Sequence, residues 1–319
     1  MTMRGLYLRD GAVSYREDLP DPGLRDGDVE VRVLQAGVCA TDLALRRGYM
    51  GFCGIPGHEF VGVALDGPLS GKRVVGDINV ACGDCPTCDA GDPHHCPHRS
   101  VLGILDHGGA FAERLRLPAD NLIEVPEEVS DDAATFVEPL AAAFEIVEQV
   151  EVLPGQTAVV AGDGRLGLLC AWTLHLAGAE VTVVGRHPER IELLPTGVQH
   201  VVGWLEGPGR STAKFDLAVE ASGASSVLAC LLPMVRPRGT LVLKTTLEAP
   251  TTLNLSGLVI DEIRVVGSRC GPFDKALAAL GRGEVPVEPL IEARFPLADG
   301  VAALDRAAAG GLLKVMIQM

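Results

Sequence analysis

Apolar positions in the first 140 residues come in short runs broken by Gly and Pro, as in DVEVRVLQAG, FVGVAL, KRVVGDINVA and AERLRLP. Runs of this kind predict strands, and together an irregular, mostly β domain. From about Pro154 the rhythm changes. Apolar runs such as TAVVAG and EVTVVG now flank a helical stretch, RLGLLCAWTLHLAG, which predicts βαβ units and a parallel sheet. The later runs HVVG, FDLAVEASG, GTLVLKT and EIRVVGS add strands three to six. About a dozen residues separate HVVG from FDLAV, too few for a full crossover helix, so a loop is expected there. A helix near Phe273 to Leu280 and a closing strand in LLKVMIQM complete the pattern. The expected division is 1–140, 141–270, and a tail 271–319 that returns to the first domain.

Composition narrows the class. The chain has 319 residues, 47% hydrophobic and 22% charged, enough for two globular domains; with only 4% aromatic residues the cores must be built from Val, Leu, Ala and Ile. A formal charge of −15 repels phosphodiester backbones, which argues against a nucleic-acid partner. The most apolar segment, Leu166 to Val184, is interrupted by His175 and Glu180, so no membrane span is expected. The amino-terminal MTMRGLYLRDGAVSY has no apolar signal-peptide core, and a cytoplasmic location is expected. Thiols stay reduced there, so the nine cysteines favour metal binding over disulfides.

Two motifs carry chemistry. Cys82, Cys85, Cys88 and Cys96 lie in ACGDCPTCDAGDPHHC with C-x2-C-x2-C-x7-C spacing, which reads as a closed tetrahedral zinc site in a polar loop. Nearby His94, His95 and His98 are surplus to four thiolates and read as surface residues. The second motif follows the TAVVAG strand directly: Gly162, Gly164 and Gly167 form G-x-G-x-x-G, with Arg165 and Leu166 opening a helix. This is a dinucleotide turn, in which the diphosphate rests on the helix N-terminus. The second strand ends in Gly185-Arg186-His187-Pro188-Glu189-Arg190, without the acid that usually binds the ribose hydroxyl of NAD. Arg186, His187 and Arg190 suit a 2′-phosphate, so NADP is favoured over NAD.

Upstream, GVCATD and GIPGHEFVG supply Cys39, His58 and Glu59, a thiolate, imidazole and carboxylate set suited to catalytic zinc if one position stays open. Taken in order, these residues, the four-cysteine loop, the segment GGAFAERLRLP, the glycine-rich turn and the EASG ending of the fourth strand resemble the zinc-dependent medium-chain alcohol dehydrogenases. The resemblance spans nearly the whole chain. It implies an α/β protein with an irregular, mostly β GroES-like catalytic domain and a Rossmann doubly wound parallel sheet, binding one catalytic and one structural zinc. It also implies that Cys39 and His58 ligate the catalytic ion, that Thr41 hydrogen-bonds the substrate hydroxyl, and that Asp42 orients the histidine. The remaining ligand in this family comes from the segment reading Val137-Glu138-Pro139 here. Its Glu138 resembles the polyol, threonine and glucose dehydrogenase branches. Either Glu138 ligates zinc, or Glu59 does and Glu138 holds the water. Ala44 stands where several members carry a relay histidine.

The reaction so implied is reversible oxidation of a polyol, sugar or secondary alcohol to a carbonyl with NAD(P), by a homodimer or homotetramer. Two rival readings share the architecture: a zinc-free quinone or enoyl reductase, and a non-catalytic NADPH-binding protein built on a retired dehydrogenase.

Overall fold

The computed structural model describes residues 2–23, 27–203, 214–246 and 253–319. They form two compact units, Met1–Glu138 with Phe273–Met319, and Pro139–Pro272.

The first unit is built mainly on antiparallel pairing, with Ile291–Pro296 parallel to Lys314–Gln318. Its largest sheet runs Leu122–Glu124, Arg73–Gly76, Glu59–Ala64, Asp28–Gly37, Lys314–Gln318 and Ile291–Pro296, with Arg114–Pro118 also paired to Asp28–Gly37. The Asp28–Gly37 strand alternates at first between buried Val29, Val31 and Val33 and more exposed neighbours, as a sheet with one face on the core requires. A hairpin of Thr2–Arg9 and Ala12–Pro20 adds a small core of Met3, Leu19 and Ala112. The apolar tail strand Lys314–Gln318 inserts beside Asp28–Gly37, with Met316 opposite Gly37. On the other edge of the same strand, Gly37 faces Glu59. Three segments remote in sequence thus share one end of a sheet.

The second unit is a six-stranded sheet in the order Gln199–Val202, Glu180–Gly185, Thr157–Ala161, Phe215–Glu220, Val235–Leu243, Arg264–Gly267. Every pairing is parallel. The order places the first strand at the centre, where Ala158 to Ala161 are buried, and reproduces the 3-2-1-4-5-6 order of dinucleotide-binding sheets. These are the six apolar runs expected from the sequence; the four inner strands are largely buried, as helices on both faces require, while the edge strands Gln199–Val202 and Arg264–Gly267 are mostly exposed. The expected loop after HVVG lies largely outside the described residues. Among the described residues no helix is long and apolar enough to cross a membrane.

Candidate active site

Local geometry explains how Cys39 and His58 meet. The Asp28–Gly37 strand ends at Gly37, and two residues later Cys39 is the N-cap of the helix Ala40–Arg46. His58 immediately precedes the strand that begins at Glu59, paired to Gly37. Ligand atoms of Cys39, His58 and Glu59 consequently lie within 4.8 Å of one another, with both His58 and Glu59 buried. Asp42 is 1% exposed and links the pair: its Oδ2 accepts the Cys39 backbone N–H at 2.8 Å, and its Oδ1 stands 3.4 Å from His58 Nδ1. With Nδ1 turned to a carboxylate, Nε2 is the nitrogen left for a metal, the arrangement a ligating histidine needs. Burial works against charge on His58, but Asp42 and the Cys39 thiol outweigh it and hold its pKa well above the usual range. Thiolate, imidazole and carboxylate donors gathered within 4.8 Å of one another fit a divalent cation. Thr41 lies beside it, its Oγ1 3.8 Å from Cys39 Sγ.

Glu138, near the start of the helix Val137–Gln149, is not among the three residues drawn within 4.8 Å. It is close enough to be governed by them. Glu138 is half-buried and its carboxyl densely surrounded, and this burial pushes it up to about 7; His58 and Lys314 oppose the rise and Glu59 adds to it.

Lys314 is the residue that sequence reasoning missed. Its side chain and that of Glu59 are both 0% exposed, and its Nζ donates to Glu59 Oε2 while lying 4.9 Å from the centroid of the Phe136 ring. A buried cation needs both a counter-charge and a low-cost neighbour, and here a carboxylate and an aromatic face supply them. The signal was present as one lysine inside the apolar run LLKVMIQM.

The four-cysteine loop is a separate centre. Its sulfurs lie within 4.8 Å of one another, at 3.5 Å for Cys85 and Cys88, 3.5 Å for Cys82 and Cys96, and 3.8 Å for Cys85 and Cys96. A tetrahedron with Zn–S bonds of about 2.3 Å has edges of about 3.8 Å, so the set fits zinc. The backbone N–H of Cys82 donates to Cys96 Sγ, and with the N–H of His98 it brings that thiol down to about 7 against the effect of burial. His94 is not a bare surface residue: its Nε2 meets Asp77 Oδ2 at 2.5 Å and ties the loop to the unit.

In the second unit the glycine-rich turn has the geometry a dinucleotide requires. Gly162 has φ +117°, and a Cβ on Gly167 would stand 1.9 Å from the Gly162 carbonyl oxygen, so the helix Arg165–Leu176 packs against the turn only with glycine there. A Cβ on Gly164 would meet nothing within 4 Å. That open space at an uncapped helix start is where a diphosphate fits. Arg186 is exposed, His187 half-buried, and Arg190 buried with its NH1 on the Asp163 carbonyl oxygen at 2.8 Å.

An irregular β unit carrying thiolate and imidazole clusters, joined to a 3-2-1-4-5-6 parallel sheet with a glycine-rich first turn, defines a two-domain metal-dependent dehydrogenase. Comparison with known proteins gives the family. Residues 25–127 match the alcohol dehydrogenase GroES-like domain, and residues 166–281 match the zinc-binding dehydrogenase family. An L-threonine 3-dehydrogenase of Chelativorans sp. is 30% identical over 247 residues, covering 70% of this chain and 71% of that protein. An erythritol/L-threitol dehydrogenase of Mycolicibacterium smegmatis is 28% identical over 336 residues, covering 94% and 93%. Among solved structures, a zinc-binding dehydrogenase of Sinorhizobium meliloti bound to NADP superposes with a TM-score of 0.88 at 26% identity, covering 100% of both chains. An alcohol dehydrogenase of Escherichia coli complexed with NADH gives 0.87 at 25%, covering 100% and 99%. The chain belongs to the zinc-dependent medium-chain alcohol dehydrogenase family. It is an oxidoreductase that reversibly oxidises an alcohol to a carbonyl with NAD(P). The zinc-free reductase and the non-catalytic reading are not favoured.

Proposed function

We propose that this chain oxidises a polyol, sugar or other secondary alcohol, in exchange with NADP(H) more readily than NAD(H), and that each chain takes up two zinc ions. The observation that carries the reading is the meeting of Cys39, His58 and Glu59 within one unit, the latter two buried, close enough to Glu138 to act on its charge. Cys39, His58 and a carboxylate hold the catalytic ion, and Glu59 is the carboxylate within reach of both; Glu138 is the second acid of the site. Asp42 holds the imidazole in orientation. Thr41 accepts a hydrogen bond from the substrate hydroxyl and takes part in moving its proton. Zinc, when bound, supplies Lewis-acid polarisation of the substrate oxygen. A harder, carboxylate-containing donor set suits hydroxyl-rich substrates, in keeping with the threonine and tetritol specificities named for the relatives.

Cys82, Cys85, Cys88 and Cys96 hold the second ion, whose role is structural. Gly162, Gly164, Arg165, Leu166 and Gly167 receive the diphosphate. Arg186 and His187 face the 2′-phosphate, and Arg190 supports them from within. The zinc-binding catalytic domain corresponds to 1–140 with the returning tail 271–319, and the coenzyme domain to 141–270. Self-association as a homodimer or homotetramer is supported by the outer edge of the Arg264–Gly267 strand, which pairs with no strand among the described residues, and by Val259 and Ile260, 76% and 78% exposed in the helix that precedes it. A cytoplasmic setting agrees with nine cysteines, none of them in a disulfide.

The test is a panel of polyols, aldoses, amino alcohols and simple secondary alcohols run with NADP and NAD on zinc-replete protein, with metal analysis alongside. The expected result is two zinc ions per chain and turnover that stops on chelation while coenzyme binding persists. A metal-free preparation that still turns over would sink the reading.

A further inference from the structure

The segment that ends the second strand of the coenzyme sheet is held by a carboxylate it does not itself contain. Asp163, the residue after the first glycine of the turn, is 4% exposed. Its Oδ2 accepts the backbone N–H groups of Arg186 and His187, each at 2.8 Å, and its Oδ1 accepts His187 Nδ1 at 2.9 Å. Arg190 NH1 and His200 Nε2 each approach the same carboxylate to 3.5 Å. Gly185 makes the room: a Cβ there would lie 2.0 Å from Asp163 Cγ. Burial opposes ionisation of Asp163, but His187 and the backbone donors outweigh it and hold the acid below its ordinary 3.8.

The consequences for its neighbours differ. An ionised carboxylate only accepts hydrogen bonds, so His187 Nδ1 carries the hydrogen; Nε2, on a side chain 32% exposed, donates to a phosphate oxygen when the ring is imidazolium, the form that a carboxylate on one side and a phosphate on the other both favour. Arg186 gives Asp163 only its backbone, and its exposed guanidinium makes no ion pair among the described residues. Arg190 is turned the other way, its side chain 8% exposed and bonded to the turn. An acid at the end of the second strand ordinarily binds a ribose hydroxyl and disfavours a phosphate. Here the acid arrives from the turn, and its charge is met by five nitrogens within the fold.

Resting on the NADP reading above, we propose that Asp163 is a positioning residue for recognition of the coenzyme 2′-phosphate, presenting Arg186 and His187 to it and keeping Arg190 as internal support. Asp163 does not touch the coenzyme. It acts by fixing the ring orientation of His187 and the backbone that carries Arg186, so its effect belongs to the phosphate and not to the rest of the dinucleotide.

The experiment is fluorescence titration of the full chain with NADPH and with NADH, which needs no turnover, with melting temperature as a check on folding. Asp163→Asn is expected to weaken NADPH by about tenfold and NADH by less than about threefold, the size of one charge-assisted hydrogen bond lost to the phosphate. His187→Gln is expected to show the same selective loss, and the double variant to be no weaker than His187→Gln by more than about twofold, because both substitutions remove one interaction. Equal losses for the two coenzymes in folded Asp163→Asn overturn the positioning role. So does a His187→Gln protein that binds both coenzymes as the unaltered protein does, whatever the fate of Asp163→Asn. A preference of the unaltered protein for NADH overturns the 2′-phosphate reading itself, before any variant is made.

Discussion

The first unit holds two clusters of residues able to ligate a metal ion, and they solve opposite problems. The four-cysteine loop takes all its donors from residues 82–96, uses one chemical type, and leaves Cys82 exposed. The Cys39, His58 and Glu59 cluster draws on two segments for its donors and a third, carrying Lys314, for its counter-charge, and buries nearly everything. A thiolate tetrahedron satisfies its ion completely and needs little from the surrounding protein. A mixed set with a position to spare must be held from outside, and Asp42 and Lys314 do the holding. The cluster proposed to perform the chemistry is therefore the one that depends on the whole unit.

That contrast sets the order of the expected effects. The largest falls on turnover: His58→Ala is expected to reduce kcat by about a thousandfold or more, the worth of several kcal/mol of polarisation at the substrate oxygen, while coenzyme titration stays unchanged. A variant with near-normal kcat would erase the functional distinction between the clusters. Next is Lys314→Met. Stranding Glu59 without its buried partner costs about 3–5 kcal/mol, expected as a fall in melting temperature of about 10 °C, with Lys314→Arg recovering part of it. If Lys314→Met melts like the parent, the pair is not what secures the mixed site. Cys96→Ser is expected to lower the zinc content from two ions to one and the melting temperature by roughly 5 °C; retention of both ions would show the loop to be less self-sufficient than its geometry suggests.

The smallest effect is a pH dependence confined to the mixed site. Glu138 has its carboxyl raised to about 7 from the ordinary 4.5. A carboxyl so raised favours the folded state when protonated, so its contribution is full below 4.5 and is lost as pH rises through about 7. In metal-free protein, melting temperature is expected to fall by a few degrees across that interval, and Glu138→Gln to flatten the slope. An unchanged slope in the variant would place the titration elsewhere.

What could be read in advance follows the same division. The cysteine loop and the glycine-rich turn are contiguous, and each residue's task is set by its immediate neighbours, so spacing alone pointed to them. The four inner parallel strands were legible because strands buried on both faces leave near-continuous apolar runs, and the two exposed edge strands by the paired valines of HVVG and EIRVVGS. Lys314 was not legible, since its meaning comes from a strand register that places the tail beside Gly37 and Glu59. Asp163 escaped for a related reason. It occupies a variable position of the glycine motif, and only the lack of a side chain at Gly185, far off in sequence but adjacent in space, gives its carboxylate a destination. The inward turn of Arg190 was hidden with it.

The hydrogen bond between Lys314 and Glu59 spans 255 residues, and this bears on how the molecule is made. Contacts of such separation form late, because the intervening chain must be ordered or looped out first. The whole of the second unit lies within that span. As the chain leaves the ribosome, Glu59 emerges long before the lysine that allows it to be buried, whereas residues 139–272 are complete well before the first unit is. Domains tend to fold as units during synthesis. The coenzyme-binding sheet is thus expected to mature first, and the catalytic pocket to close only when the tail strand slides into its slot beside Gly37.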